Sequence, residues 1–332
     1  MKKLFISMLA VAALASCSQE DVIVADKGDL IGFNSFVENS TRATDPSYSN
    51  KDINTINVFG TVNNVLIYDY TPVTRPTTEK GQGYNAVWQC GVKQYWIDGA
   101  SYKFIALVDV PETDITAYDT YGMPTSFTYT ADGVTDVLCD DYATTGQKTG
   151  NGTVPFTFNH LLSKVNFTVV NGTPDAEGYS FEVKNIAFNG ATKATYDVVN
   201  KKWIDLTEKK ATILGNERTV LVNGVETEVK DVVVASKAAS AELAREVLFL
   251  PGEYTISFTV DILYGGKLVT TTNYPVSPAT YTYTLAANNA YNFKVNVAVG
   301  QLIQFTVTEQ PDWNEDVNND DKVDTNDNIK LQ

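Results

Sequence analysis

From Tyr291 to Val299 every second residue is apolar: Tyr291, Phe293, Val295, Val297 and Val299, with Asn292, Lys294 and Asn296 among the residues between. A period of two is the side-chain repeat of a β-strand with one buried and one wet face. A helix, with its period of 3.6, cannot keep such a set on one side. Short stretches of the same kind, separated by Gly, Pro, Asn and Asp turns, predict strands at Ile53–Phe59, Val65–Tyr70, Lys103–Asp109, Thr153–Phe158 and Lys164–Val170. Further strands are expected at Ser180–Phe188, Thr219–Val222, Val247–Leu250, Tyr254–Leu263, Lys267–Thr272, Ala290–Val299 and Leu302–Thr308. Long helical patterns are absent, and the abundant Tyr, Thr and Val favour pleated, half-buried surfaces. Ser240–Glu246 is the best short helix, with Ser240 as its N-cap. Many short strands at this spacing make the expected fold class all-β, built as β-sandwiches. The Gly-containing polar stretch Thr144–Gly152 reads as a loop or linker. It divides the bulk of the chain into an N-terminal β-sandwich domain at 43–150 and a C-terminal one at 151–310.

The first residues point to a compartment. Lys2 and Lys3 precede an apolar run, Leu4 to Leu14, broken only by Ser7. That run is too short to cross a hydrocarbon core of about 30 Å as a helix. With its charged flank on the correct side it has the build of a secretory signal. Leu14-Ala15-Ser16-Cys17 looks like a bacterial lipobox, so residues 1–17 are expected to be a lipoprotein signal with Cys17 lipidated. The following Ser18-Gln19-Glu20-Asp21 is similar to signals that send such lipoproteins to the cell surface. The expected location is therefore the outer membrane as a precursor, then the cell surface. About 290 to 315 residues remain after processing, enough for two ordinary domains. Cys90 and Cys139 could pair in an oxidising compartment, or each could be a small buried apolar residue.

Charge and composition narrow the function. The formal net charge is −15, and the only arginines are at 42, 75, 218 and 245. An acidic surface repels phosphate backbones and anionic lipid, which argues against nucleic acid as a partner. His160 is the only histidine, which excludes a two-histidine metal motif. In Phe156-Thr157-Phe158-Asn159-His160-Leu161-Leu162 it reads as a structural residue, since proton chemistry needs a partner at hydrogen-bond range and the sequence nominates none. Gly81-Gln82-Gly83-Tyr84-Asn85-Ala86 matches a dinucleotide fingerprint in letters only. No strand precedes it and no helix follows, so it reads as a loop. No enzyme is expected, and nothing in the sequence requires a cofactor.

The acidic tail, 311–332, carries a more specific signal. From Glu309 to Gln332 there are eight acidic residues against two lysines. Asp316, Asn318, Asp320, Asp324 and Asp327 fall at positions 1, 3, 5, 9 and 12 of a loop, with the Lys322 carbonyl at position 7. This is the oxygen-rich spacing that Ca2+ takes, and it resembles one loop of a dockerin or EF-hand. Asp321 stands where such loops carry Gly, and the other reading is a solvated acidic tail.

Several segments together resemble the fimbrillin family, the FimA/Mfa-like pilins of Bacteroidetes. They are Leu30-Ile31-Gly32-Phe33-Asn34-Ser35-Phe36-Val37 with Asn39-Ser40-Thr41-Arg42-Ala43, then Trp88 with Tyr95–Ala106, then His160-Leu161-Leu162-Ser163-Lys164-Val165, and Leu250-Pro251-Gly252-Glu253-Tyr254. The resemblance implies two transthyretin-like β-sandwich domains in tandem, polymerising by strand exchange. It implies a propeptide, 18–42, with a removable N-terminal strand, cut by an arginine-specific protease between Arg42 and Ala43. A neighbour's C-terminal strand would refill the groove, and Ile303, Phe305 and Val307, which alternate along Leu302–Thr308, are the candidate donor residues. The implied partners are other fimbrial subunits, that protease, and a host or bacterial surface ligand. The role is a stalk or tip subunit supporting adhesion. The alternative is a non-polymerising surface lipoprotein that binds glycan or host protein through Tyr-rich loops.

Overall fold

The computed structural model describes residues 29–37, 53–75, 88–145, 152–173, 178–214, 218–222, 225–229, 232–234, 240–242, 246–275, 280–299, 304–311 and 328–330. The chain is all-β, as its alternation predicts, with one short 3₁₀ turn at Glu112–Asp114 among the described residues.

A seven-stranded sheet contains β1 (Gly32–Val37), β2 (Thr55–Val62), β3 (Val65–Thr74), β4 (Gln89–Cys90), β5 (Ser101–Val108), β8 (Leu138–Thr145) and β9 (Thr153–His160). Their spatial order is β1-β9-β8-β5-β2-β3-β4. Asn63 and Asn64, at φ 48° and 66°, make the two-residue turn between β2 and β3. Positive φ at both positions matches the right-handed twist of the paired strands, and Asn accepts it readily. An eight-stranded sheet holds β6 (Ile115–Tyr118), β7 (Pro124–Thr130), β11 (Tyr179–Asp197), β12 (Lys202–Leu214), β15 (Val232–Val234), β18 (Gly252–Tyr264), β19 (Lys267–Tyr274) and β20 (Tyr281–Leu285). A six-stranded sheet holds β10 (Ser163–Asn171), β16 (Ser240–Glu242), β17 (Val247–Phe249), β21 (Asn289–Val297), β22 (Gln304–Pro311) and β23 (Asn328–Lys330). A separate hairpin pairs β13 (Arg218–Val222) with β14 (Val225–Val229).

Three apolar clusters hold these layers. The six- and eight-stranded sheets face each other across Val165, Phe167, Phe181, Phe188, Phe258 and Phe293, a two-sheet sandwich core. Tyr291, Phe293, Val295 and Val297 are all buried there, on the face their period-two spacing selects. One face of the seven-stranded sheet, with Phe59, Ile105 and Leu107, packs on β7 and the far end of β11 through Phe127, Ala194 and Tyr196. The long β11 therefore serves two cores. The third cluster, with Ile56, Tyr68, Phe104, Phe156 and Phe158, is drawn from the seven-stranded sheet and its adjoining loops alone.

The strand pairing bears on two expectations. Hydrogen bonding crosses residue 150 in both directions: β9 lies in the seven-stranded sheet beside β8, while Ser126–Thr130 of β7 pairs with Lys193–Asp197 of β11. The helix expected at Ser240–Glu246 is corrected. Ser240–Glu242 is a strand that extends the six-stranded sheet against Thr168–Val170. So short a segment gains little from helix formation by itself, whereas the open edge of β10 offers partners for its main chain.

Candidate functional site

The seven-stranded sheet curls until its two edges meet, and residues 29–37 close it. Gly32–Val37 runs parallel to β9, from Gly32 opposite Thr153 to Val37 opposite Phe158. Just ahead of it the chain is tied to the segment that follows β4. Leu30 bridges Tyr95, the Ile31 N–H donates to the Gln94 carbonyl at 2.9 Å, and the Trp96 N–H donates to the Asp29 carbonyl at 2.9 Å. Gly152 locks the corner. Its carbonyl accepts from the Gly32 N–H at 3.0 Å and from the Trp96 indole Nε1 at 2.8 Å. Its φ of 80° is a left-handed conformation that glycine adopts without steric cost.

The side chains of the first strand sit inside this curl. Ile31 is 3% exposed and Phe33 5%. The Phe33 ring stacks on Phe156 at 6.1 Å and meets Tyr68 and Phe104 edge-on at 5.3 and 6.1 Å. Gly60 makes room for this cluster, because a Cβ there would lie 2.7 Å from the Phe104 ring and 2.9 Å from that of Tyr68. Burial pushes the Tyr68 phenol well above its usual pKa. Each large apolar side chain withdrawn from such a pocket forfeits about 1.5–3 kcal/mol, and the edge of β9 would lose its partner as well.

The donor candidates lie at the other end of the chain. Phe305 and Val307 are buried in their own sandwich, where β22 pairs with β21 along Gln304–Pro311. Phe305 packs on Tyr281 at 4.7 Å, Phe258 at 5.6 Å and Phe293 at 5.9 Å. On its far side β22 is bordered by β23, with Phe305 opposite Ile329. Cys17, Arg42, Ala43, Ile303 and the calcium-loop candidates Asp316, Asn318, Asp320, Lys322, Asp324 and Asp327 lie outside the described residues, as does the Gly81–Ala86 loop.

His160 has the partner that the sequence did not reveal. Its Nδ1 lies 2.6 Å from Asp136 Oδ2, tying the end of β9 to the loop ahead of β8. Asp109 is close enough that the Asp136 charge, after burial, helps push its carboxyl up. Cys90 and Cys139 are both unpaired. Burial pushes the Cys139 thiol up, and Cys90 Sγ donates to the Val92 carbonyl. Among the described residues no group of three His, Cys, Asp or Glu side chains is gathered for a metal.

A curled sheet closed by its first described strand, joined to a two-sheet sandwich, defines an all-β protein. The sequence profile of the fimbrillin-like family matches residues 41–312, and the chain belongs to that family. Membership makes it a fimbrial protein and not an enzyme. Among solved structures, a fimbrial protein from Bacteroides vulgatus is 14% identical, with 85% of this chain and 99% of that one covered and a TM-score of 0.56. A cell adhesion protein from Bacteroides uniformis is 15% identical, covering 85% and 98%, with a TM-score of 0.45. The fimbrial anchor protein Mfa2 from Porphyromonas gingivalis is 12% identical, covering 84% and 96%, with a TM-score of 0.40. Comparison with curated protein sequences found no match.

Proposed function

We propose that the chain is a surface fimbrial subunit assembled by strand exchange after proteolysis. In this reading Cys17 carries the precursor's lipid at the outer membrane. An arginine-specific protease cuts between Arg42 and Ala43, residues 29–37 leave, and a strand from another subunit takes their place. The observation that carries it is the position of the first strand, which closes a curled core yet precedes Arg42 in sequence. Losing it would leave an apolar groove and an unpaired strand edge, the conditions under which a strand from another chain adds. Arg75 is a poor competitor for the protease, being 3% exposed with its guanidinium 5.8 Å from the Trp88 ring centroid and followed by Pro76.

The test is the N-terminus of material sheared from the cell surface. Sequencing is expected to begin at Ala43 with no lipid attached, and Arg42→Ala is expected to leave a lipidated monomer and no polymer. Polymer that still carries Cys17 would overturn the cleavage model.

Calcium at Asp316, Asn318, Asp320, Lys322, Asp324 and Asp327 is part of the same proposal, resting on their ligand spacing. Calcium is expected to protect 316–327 from proteolysis, and Asp316→Ala with Asp320→Ala to abolish the protection. Identical digestion patterns in calcium and in chelator would reduce the segment to a charged tail. A second reading, ligand binding without polymerisation, draws on the exposed Tyr118 and Tyr121 beside Asp119. It predicts an intact monomer on the surface whose adhesion falls when both tyrosines become Ala.

A further inference from the structure

The corner that ties the first strand to the segment after β4 has an inner and an outer face. Successive side chains of an extended chain point to opposite sides. Ile31 and Trp96 turn inward and are buried, whereas Leu30, Tyr95 and Ile97 turn outward and are 48%, 36% and 58% exposed. Leu30 and Tyr95 are bridged directly and so share one face, and Ile97 lies two residues beyond Tyr95 with buried Trp96 between them. Val92, in the same segment, is exposed as well. Single apolar side chains are ordinary on a surface, but here three adjoin. The charged residues beside them in sequence, Asp29, Lys93 and Asp98, sum to only −1 in a chain of −15.

The chain ahead of this corner points to what covers it. Eleven residues, 18–28, separate Cys17 from Asp29. Even at full stretch they hold the corner within about 40 Å of a lipid on Cys17. We infer that Leu30, Tyr95 and Ile97 rest on the lipid surface in which Cys17 is anchored. This rests on the lipidated precursor proposed above, and adds the face by which the folded chain meets the membrane. Three side chains are too few to hold a free protein on a bilayer. A short tether makes the second contact intramolecular, so a weak one suffices. Leucine and isoleucine suit the acyl boundary, and tyrosine the headgroup level. The headgroups are neutral ones, because a chain of −15 is repelled by anionic lipid. The proposed cut at Arg42 divides the patch. Leu30 precedes it and stays with the lipid, while Tyr95 and Ile97 follow it and leave with the subunit. The bridge between Leu30 and Tyr95 then breaks at the membrane, where the fragment that keeps the first strand has an apolar surface to rest on.

The contact is read in the full-length lipidated precursor, kept whole by Arg42→Ala and bound to phosphatidylcholine vesicles. Cys90→Ser and Cys139→Ala break no disulfide and leave one reporter thiol at a time, Ile97→Cys in the patch or Val199→Cys at the exposed turn between β11 and β12. Each carries a fluorophore, and the vesicles carry a quencher in the lipid. Quenching at 97 is expected to exceed that at 199 several-fold. Leu30→Glu with Tyr95→Glu, both at exposed positions, is expected to bring 97 down to the level of 199 while the protein still floats with the vesicles. Flotation with equal quenching at 97 and 199 overturns the patch and retains the lipid anchor. Shielding of the 97 reporter that follows protein concentration and not vesicles assigns the face to a second copy and overturns the lipid surface. Full-length protein that never floats overturns the lipidated precursor, and the inference with it.

Discussion

Phe305→Asp is expected to abolish folding of the precursor. Phe305 is 1% exposed, and the rings of Tyr281, Phe258, Phe293 and Phe167 surround it at centroid distances of 4.7 to 6.3 Å. An unpaired carboxylate in such a site costs several kcal/mol even after it takes up a proton. A domain's whole margin is about 5–15 kcal/mol, so the substitution consumes most or all of it. Thermal melts followed by circular dichroism check this directly. Phe305→Leu, which keeps an apolar side chain of similar reach, is expected to melt cooperatively only a few degrees lower. A Phe305→Asp protein that melts like the parent would show that β22 is not part of its own core. The consequence for assembly experiments is practical. Donor function has to be examined with mild changes at 305 or with the exposed Gln304, because the charged variant removes the protein before it can polymerise.

Much of the fold was legible because half-buried strands write their period into the sequence. Tyr291 to Val297 shows it plainly, and β2, β3, β5, β9, β10, β18 and β22 overlap their expected ranges with ends shifted by a few residues. The limits appear where tertiary contacts override local signals. The strand expected at Ser180–Phe188 stops short of the observed one. The strand instead continues to Asp197, because Gly190 lets the Tyr254 ring lie against the main chain: a Cβ there would fall 2.3 Å from it. Parallel partners leave no local trace either. β1 with β9, and β10 with β21, are joined across long stretches of chain with no hairpin turn to announce them.

The same limit explains what was missed about the site. Leu30–Val37 was visible as a strand. That Asp29–Ile31 would bond to Gln94–Trp96 and seal a curled sheet was not visible, since the two segments are more than 60 residues apart with no local signal joining them. Nor could alternation at Phe305 and Val307 say whose core they fill, because a strand buries the same face in its own sandwich or in a neighbour's groove. The partner of His160, Asp136, lies 24 residues upstream in a loop whose path the sequence does not specify.

Phe33→Ala separates the precursor from the polymer. In the precursor, Phe33 fills the pocket of Tyr68, Phe104 and Phe156, and truncating a buried phenylalanine costs about 3–5 kcal/mol when the site cannot collapse. The neighbouring rings are fixed by their own packing over Gly60, so the pocket has little room to close. The urea midpoint of the uncleaved variant is therefore expected to fall by a large fraction of the parent value. On the proposed cleavage at Arg42, the same residue would be gone from the assembled particle. Polymers grown from Phe33→Ala and from parent are then expected to dissociate at the same urea concentration, and weakened precursor strands are expected to exchange faster. Phe156→Ala supplies the contrast, since Phe156 belongs to the groove wall and stays after cleavage: it is expected to weaken precursor and polymer alike. If Phe33→Ala weakens the polymer as much as it weakens the precursor, the first strand remains in the assembled subunit and the groove is never vacated.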